Sequence, residues 1–221
     1  DTTDLYKPKS PENVVIQQII ADLLKAKEMA YSTEYKGTDY FYGRANKYSI
    51  TALLADVYLW SEQYQKSYDA CQEIINSGLY SLEEVDTWFN VYYPGNSPNE
   101  SIIEIQYNDA LDNQENPLYY DMNAKNVNLI LEKEDLRNFM GKGAIWKYRG
   151  KDALGLVSRT STERDGHWIL YRFADILLIK AEAAIELGKF DEANNLIRET
   201  LSRAGMPYEE VYDKEHLRQE I

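Results

Sequence analysis

Apolar residues recur at helical spacing in five stretches of this chain and lose that spacing between them. The first stretch, PENVVIQQIIADLLKAKEMA, sets Val15, Ile16, Ile19, Ile20, Leu23 and Leu24 on one stripe. That is the period of a helix burying one face. Ser10 is read as its N-cap and Pro11 as its first helical residue, a position whose N–H has no helical acceptor. A polar loop bearing tyrosine and glycine follows, YSTEYKGTDYFYGRAN. KYSITALLADVYLW then places Ile50, Leu53, Leu54 and Val57 on one side, and YQKSYDACQEIINS does the same with Tyr64, Tyr68, Cys71, Ile74 and Ile75. The short turn between them predicts a helical hairpin, with Gly78 as its left-handed cap.

Residues 81–169 carry a different pattern. Turn signals cluster at YYPGNSPNE and NDALDNQENP. SIIEIQY and AIWKYRG read as short strands, and Leu129 to Met140 as a short helix. The region is irregular but too rich in Trp, Tyr and Ile to be disordered. A second hairpin closes the pattern, with helices over Leu170 to Leu187 and Asp191 to Ser202, punctuated by Gly188 and ended by Gly205 and Pro207. The fold class that follows is mostly α, with helical hairpins and a loop-rich insertion containing short β-strands. Its parts are 12–80, 81–169, 170–207 and a tail over 208–221, within one domain.

The two hairpins are related. At an offset of 126 residues Tyr64 falls on Phe190, Ala55 on Ala181 and Ser67 on Ala193. Small residues at the middle of the first helix and early in the second let two helices cross closely. The pattern is that of the tetratricopeptide repeat, a helical hairpin of about 34 residues. Gly188, Phe190 and Ala193 complete its signature in the second copy, while the first has Glu62 at the glycine position and Ser67 at the alanine. Arrays of this repeat run in tandem, yet most of the chain separates these two.

Charge and composition narrow the function. With 24 basic against 37 acidic residues the net charge is −13, and no basic stripe suits a nucleic acid backbone. Cys71 alone cannot make a disulfide framework or a cysteine zinc site. No run reaches the roughly 20 apolar residues of a membrane span, and no signal peptide opens the chain. The unusual quantity is 19 Tyr and 4 Trp. Their flat apolar faces and polar edges suit both cores and binding surfaces.

Three blocks carry a family resemblance. GRANKYSITALLADVYLWSEQYQKSYDACQEIINSGLYSL (43–82), ESIIEIQYN (100–108) and YRFADILLIKAEAAIELGKFDEANNLIRETLSRAGMP (171–207) occur in one order. They resemble the SusD/RagB family of outer-membrane nutrient-binding lipoproteins. The first matches that family's GR-x-x-K … A-L-L-A-x-V-Y-L pattern, and the third its R-x-A-D-[IV]-L-L-x-x-A-E-A … R-A-G-x-P. Ser67, Glu199 and Thr200 depart from it. The resemblance implies a protein on the outer face of a Bacteroidetes-type outer membrane. There it would bind oligosaccharides, or in some members peptides, for a partner TonB-dependent SusC-like transporter. It also implies an N-terminal lipid anchor that this chain does not contain, and a closing helical block beyond EHLRQEI. The chain is thus expected to be a middle-to-late portion of such a protein.

Catalytic readings find little in the pattern. Two histidines, His167 and His216, form no paired metal-ligand spacing, and neither a G-x-S-x-G elbow nor a phosphate loop is present. No metal, cofactor or catalytic residue is expected, and the protein is read as a non-enzyme. His167 is read as an ordinary boundary residue, and Glu182 in the AEA segment as a structural hydrogen-bonding group. A sugar ring presents an apolar C–H face that stacks on Trp or Tyr, while its hydroxyls bond Asn, Asp, Gln or Arg. These types interleave in 83–169, so Trp88, Tyr92, Tyr107, Tyr119, Tyr120 and Trp146 are the candidate ligand-binding residues. Two other readings stay open: an intracellular peptide-gripping adaptor, which predicts tandem hairpins, and a glycoside hydrolase, which predicts two convergent carboxylates in a cleft.

Overall fold

Asn46 starts its helix entirely through local hydrogen bonds. Its Oδ1 accepts from Tyr48 N at 2.8 Å and Ser49 N at 2.9 Å, and Ser49 Oγ accepts from Asn46 N at 2.8 Å. This reciprocal capping box satisfies backbone donors that a helix start leaves unpaired. Asn46 Nδ2 also donates to Phe41 O, tying the helix to the preceding turn. The computed structural model describes residues 9–87, 91, 99–107 and 166–221. In chain order these form α1 (Glu12–Met29), α2 (Asp39–Tyr42), α3 (Lys47–Trp60), α4 (Tyr64–Asn76), β1 (Ser101–Ile105), β2 (Trp168–Arg172), α5 (Phe173–Glu186), α6 (Phe190–Arg203) and α7 (Lys214–Gln219).

The architecture is mostly helical, and the two hairpins predicted from the sequence are present as α3–α4 and α5–α6. Although some 90 residues separate them in sequence, α4 packs directly against α5. The tandem stacking expected of such repeats is therefore achieved in space, between helices far apart in sequence. Ala55, Ser67, Ala181 and Ala193 are all fully buried, as a close helix crossing requires. Ser67 keeps the place of an alanine by donating its Oγ to Ala55 O at 2.8 Å. Across the hairpins Tyr68 Oη donates to Glu192 at 2.6 Å, and Lys180 Nζ reaches the same carboxylate at 2.5 Å. Burial, then the bond to Glu192, pushes the Tyr68 hydroxyl up to about 12.

Several boundaries differ from the sequence reading. Leu170, Tyr171 and Arg172 belong to β2, not to the following helix. Their apolar run continues without a break into α5, so hydrophobicity does not mark the change. The mark is Asp175, whose carboxylate accepts from Arg172 N at 3.0 Å and so starts the helix at Phe173. Pro11, not Ser10, occupies the N-cap of α1. Of the stripe on α1 only Ile20 is buried, while Val15, Ile19 and Leu24 remain exposed. The tail over 208–221 holds α7, whose Leu217 is fully buried in the main core. The strand AIWKYRG and the helix Leu129 to Met140 lie outside the described residues.

The insertion leaves and returns through an antiparallel pair. β1 pairs with β2 in the register Ser101 to Arg172, Ile103 to Tyr171, Glu104 to Ile169 and Ile105 to Trp168, with two irregularities. The pair is anchored by Glu100, fully buried, which takes Arg203 Nη1 at 2.9 Å and lies 3.8 Å from Arg172 Nη1. Glu100 also accepts from Glu83 N and, through its carbonyl, from Phe173 N. One carboxylate thus joins the segment after α4, the β2–α5 junction and the end of α6. On the other side Tyr171 Oη donates to Asp56 of α3 at 2.6 Å. The sheet is thereby fixed against both hairpins.

Candidate functional site

The segment between α1 and α3 is built to hold some aromatic rings inside and leave others out. Phe41 and Tyr42 are buried, their rings edge to face at 5.3 Å. Beneath them Lys36 Nζ lies 4.5 to 5.4 Å from the ring centres of Tyr80, Tyr42 and Phe41, within cation–π range. Burial pushes its amine down to about 8. With that anchor in place, Tyr35 and Tyr40 project outward, 47% and 45% exposed, their ring centres 4.7 Å apart. Tyr31 braces them from behind, 5.3 Å from Tyr35 and 5.8 Å from Tyr40. The Arg44 guanidinium lies over the Tyr40 ring at 4.7 Å.

This aromatic shelf borders a cleft of about 680 Å³ along β1, lined by Tyr40, Arg44, Ile103, Glu104, Gln106 and Leu170 among others. Gln106 Nε2 donates to Asp39 O at 2.8 Å, binding the exit of β1 to α2. The approach requires Gly43, because a Cβ there would stand 2.2 Å from Gln106 Oε1. Glu104 lies under the cleft with its side chain fully buried. It accepts from Ser101 Oγ at 3.1 Å and Gln106 Nε2 at 3.4 Å, and its Oε1 lies 2.9 Å from His167 Nδ1. His167 is accordingly not an ordinary boundary residue: its ring is tied to a buried carboxylate. Serine, acid and histidine meet here, but the serine hydroxyl bonds the acid. A nucleophile would instead need its hydroxyl on the imidazole.

A second cleft, about 660 Å³, lies on the helical side between Asp56, Trp60, Tyr64, Glu182, Glu186 and Arg218. Burial and then Glu186 push the Glu182 carboxyl up. Burial works the same way on Glu186, but Lys214 at 2.7 Å and Arg218 outweigh it and hold that carboxyl down. Glu182 is exposed and makes no hydrogen bond, so the structural role expected of it is not observed. Carboxylates do converge, as a hydrolase would need. Two of them are already committed, however: Glu186 to two cations and Asp56 to Tyr171 Oη.

Of the residues singled out from the sequence, Tyr107 follows Gln106 at the exit of β1 and is half-buried. Trp88, Tyr92, Tyr119, Tyr120 and Trp146 lie outside the described residues. Tyr35, Tyr40, Arg44 and Gln106 were not singled out. The signal that could have found three of them is the tyrosine density of YSTEYKGTDYFYGR, passed over as an ordinary loop. Among the described residues no group of three potential metal ligands occurs, and no helix is long and apolar enough to cross a membrane.

No curated protein sequence matches the chain. Among solved structures, a SusD superfamily protein from Bacteroides vulgatus superposes with a TM-score of 0.68 at 24% identity, covering 96% of this chain and 52% of its own. A SusD-like carbohydrate-binding protein from Bacteroides fragilis gives 0.65 at 15% identity, covering 96% and 55%. Surface glycan-binding protein A from Bacteroides uniformis gives 0.64 at 18%, covering 96% and 54%. The chain therefore spans about half the length of these structures, and the likeness concerns the fold. The family model of the SusD family matches residues 26–221, from the last turn of α1 through α7, including both hairpins and the sheet that joins them. The chain belongs to the SusD family.

Proposed function

We propose that this protein captures glycans at the cleft beside β1 and passes them to a TonB-dependent, SusC-like transporter at the outer membrane, without cleaving them. The observation that carries this reading is Tyr40, exposed in the lining of that cleft, with the exposed Tyr35 ring packed 4.7 Å from it. Two rings held from below offer apolar faces to sugar C–H groups. Arg44 and Gln106 stand beside them as polar partners for hydroxyls. The names of two structural relatives, a carbohydrate-binding and a glycan-binding protein, support the same reading. In the helical-side cleft Glu186 and Asp56 are engaged by cations and by Tyr171, and beside β1 the Ser101 hydroxyl bonds Glu104 and not His167, which supports binding over hydrolysis. In sequence the candidates Trp88 and Tyr92 precede β1, Tyr119, Tyr120 and Trp146 fall between β1 and β2, and Tyr107 follows Gln106 at the exit of β1. They are proposed to complete the site.

Stacked hairpins by themselves would equally fit a peptide adaptor. Membership in the SusD family, and an aromatic cleft outside the hairpins, favour the glycan reading. Attachment to the membrane is proposed to be through a lipid anchor. Calorimetry against a panel of oligosaccharides tests the binding claim. Changing Tyr35 and Tyr40 to Ala together is expected to weaken binding by roughly tenfold, on the order of 1 kcal/mol of stacking. An unchanged affinity in a folded double variant would remove this cleft from consideration. Co-purification with the transporter tests the partnership.

A further inference from the structure

The cleft beside β1 holds a cation, Arg44, that has no acidic partner among the described residues. Arg172, Arg198, Arg203 and Arg218 each lie against a carboxylate. Arg44 is the remaining arginine among the described residues, and its contact is the Tyr40 ring. In a chain carrying 37 acidic residues, a guanidinium left without a carboxylate stands out against the local supply of anions. The stack occupies one face of the guanidinium and leaves its N–H edge available. That planar edge suits the two oxygens of a carboxylate. The one carboxylate in the cleft lining does not compete. Glu104 is buried and already engaged by Ser101, His167 and Gln106.

We propose that the cleft selects saccharides bearing a carboxylate, such as uronic acid units, with Arg44 gripping the carboxylate while Tyr35 and Tyr40 support the adjoining ring. This rests on the glycan reading of the same site. A single cation among the described lining residues matches a single ligand charge, and the planar fork takes both oxygens of a carboxylate side by side. The aromatic shelf fixes the guanidinium in advance, so little side-chain freedom is lost when the ligand arrives.

Calorimetry with galacturonate, mannuronate and glucuronoxylan oligosaccharides, each beside its methyl ester, tests this directly. At least one acid is expected to bind about tenfold or more tighter than its ester. Added salt should weaken the acid but not the ester. Arg44→Gln should weaken the acid far more than the ester and so erase the difference, and Arg44→Lys should restore part of it. Circular dichroism checks that the variants fold. Equal affinity for acid and ester in the unaltered protein would overturn the inference. So would an equal loss of both in Arg44→Gln, or a sulfated neutral backbone binding as tightly as the uronate. In those cases the glycan reading still stands. Binding of no glycan at all would bring down both.

Discussion

Glu62 pays for its position with an unusual backbone. It stands where the second hairpin has Gly188, and both adopt left-handed angles, φ +58° and +72°. A side chain costs about 1 kcal/mol in that region, and glycine does not carry the cost. Glu62→Gly is therefore expected to raise unfolding stability by roughly 0.5–1 kcal/mol, read by urea denaturation. No gain would mean that the acid side chain offsets its own strain. Lys36 makes a pH prediction. Its folded value lies near 8, below an ordinary lysine value of about 10.4. Below about pH 8 both folded and unfolded chains hold the proton, and the burial penalty is in full force. As pH rises toward 10 the folded state releases the proton first, so stability climbs and the gain is complete above the unfolded value. Cation–π contact with three rings opposes part of this shift. Melting curves from pH 7.5 to 10 should rise for the unaltered protein and flatten for Lys36→Met. Parallel profiles would show that the rings cancel the burial penalty.

At the scale of elements, small residues decide how the helices meet. Ala181 and Ala184 are fully buried on α5, which packs against both α4 and α6. Interiors at this density leave no room for three extra carbon atoms. Ala181→Leu is expected to destabilise by about 1–3 kcal/mol, or more if the hairpins cannot separate slightly. The same substitution at Ala204, exposed just beyond α6, serves as the control, and equal effects at both would contradict the close crossing. These helices were readable in advance because each buries one face and therefore carries the 3.6-residue period. α3 was predicted over its observed range, Lys47–Trp60. The strand over Leu170–Arg172 was not readable: an apolar residue, Leu170, is exposed on it, Tyr171 and Arg172 are half-buried, and it runs on into α5, so its residues show neither alternation nor a break. α7 escaped notice because a six-residue helix held by one buried leucine carries too little pattern.

For the whole molecule, Glu100 is the point of greatest leverage. Its carboxylate meets Arg203 and Arg172 out of contact with solvent and joins segments far apart in sequence. Removing one partner strands the others' charge in the interior, at a cost of about 3–5 kcal/mol. Glu100→Ala should show that loss in thermal or urea unfolding. Glu100→Gln should recover part of it through remaining hydrogen bonds. A loss below about 1 kcal/mol would mean the ion pairs behave like surface ones. All three of its members lie within sequence blocks that carry the family resemblance, Glu100 at the head of ESIIEIQYN, Arg172 near the start and Arg203 near the end of the third. Their pairing was still invisible, since nothing in either block states its distance from the other.

The sequence by itself determined the five long helices, the two related hairpins with their small residues, and the family. All of these rest on periodicity and short-range spacing, which operate within one or two turns of chain. Tertiary structure alone decided that the hairpins stack across an insertion of some 90 residues, that Glu100 joins three segments, and that the loop over 31–46 meets β1 to frame a cleft. A cleft belongs to residues brought together from distant positions. No local pattern records that Gln106 lies against Gly43, because the cause is the packing of everything between them.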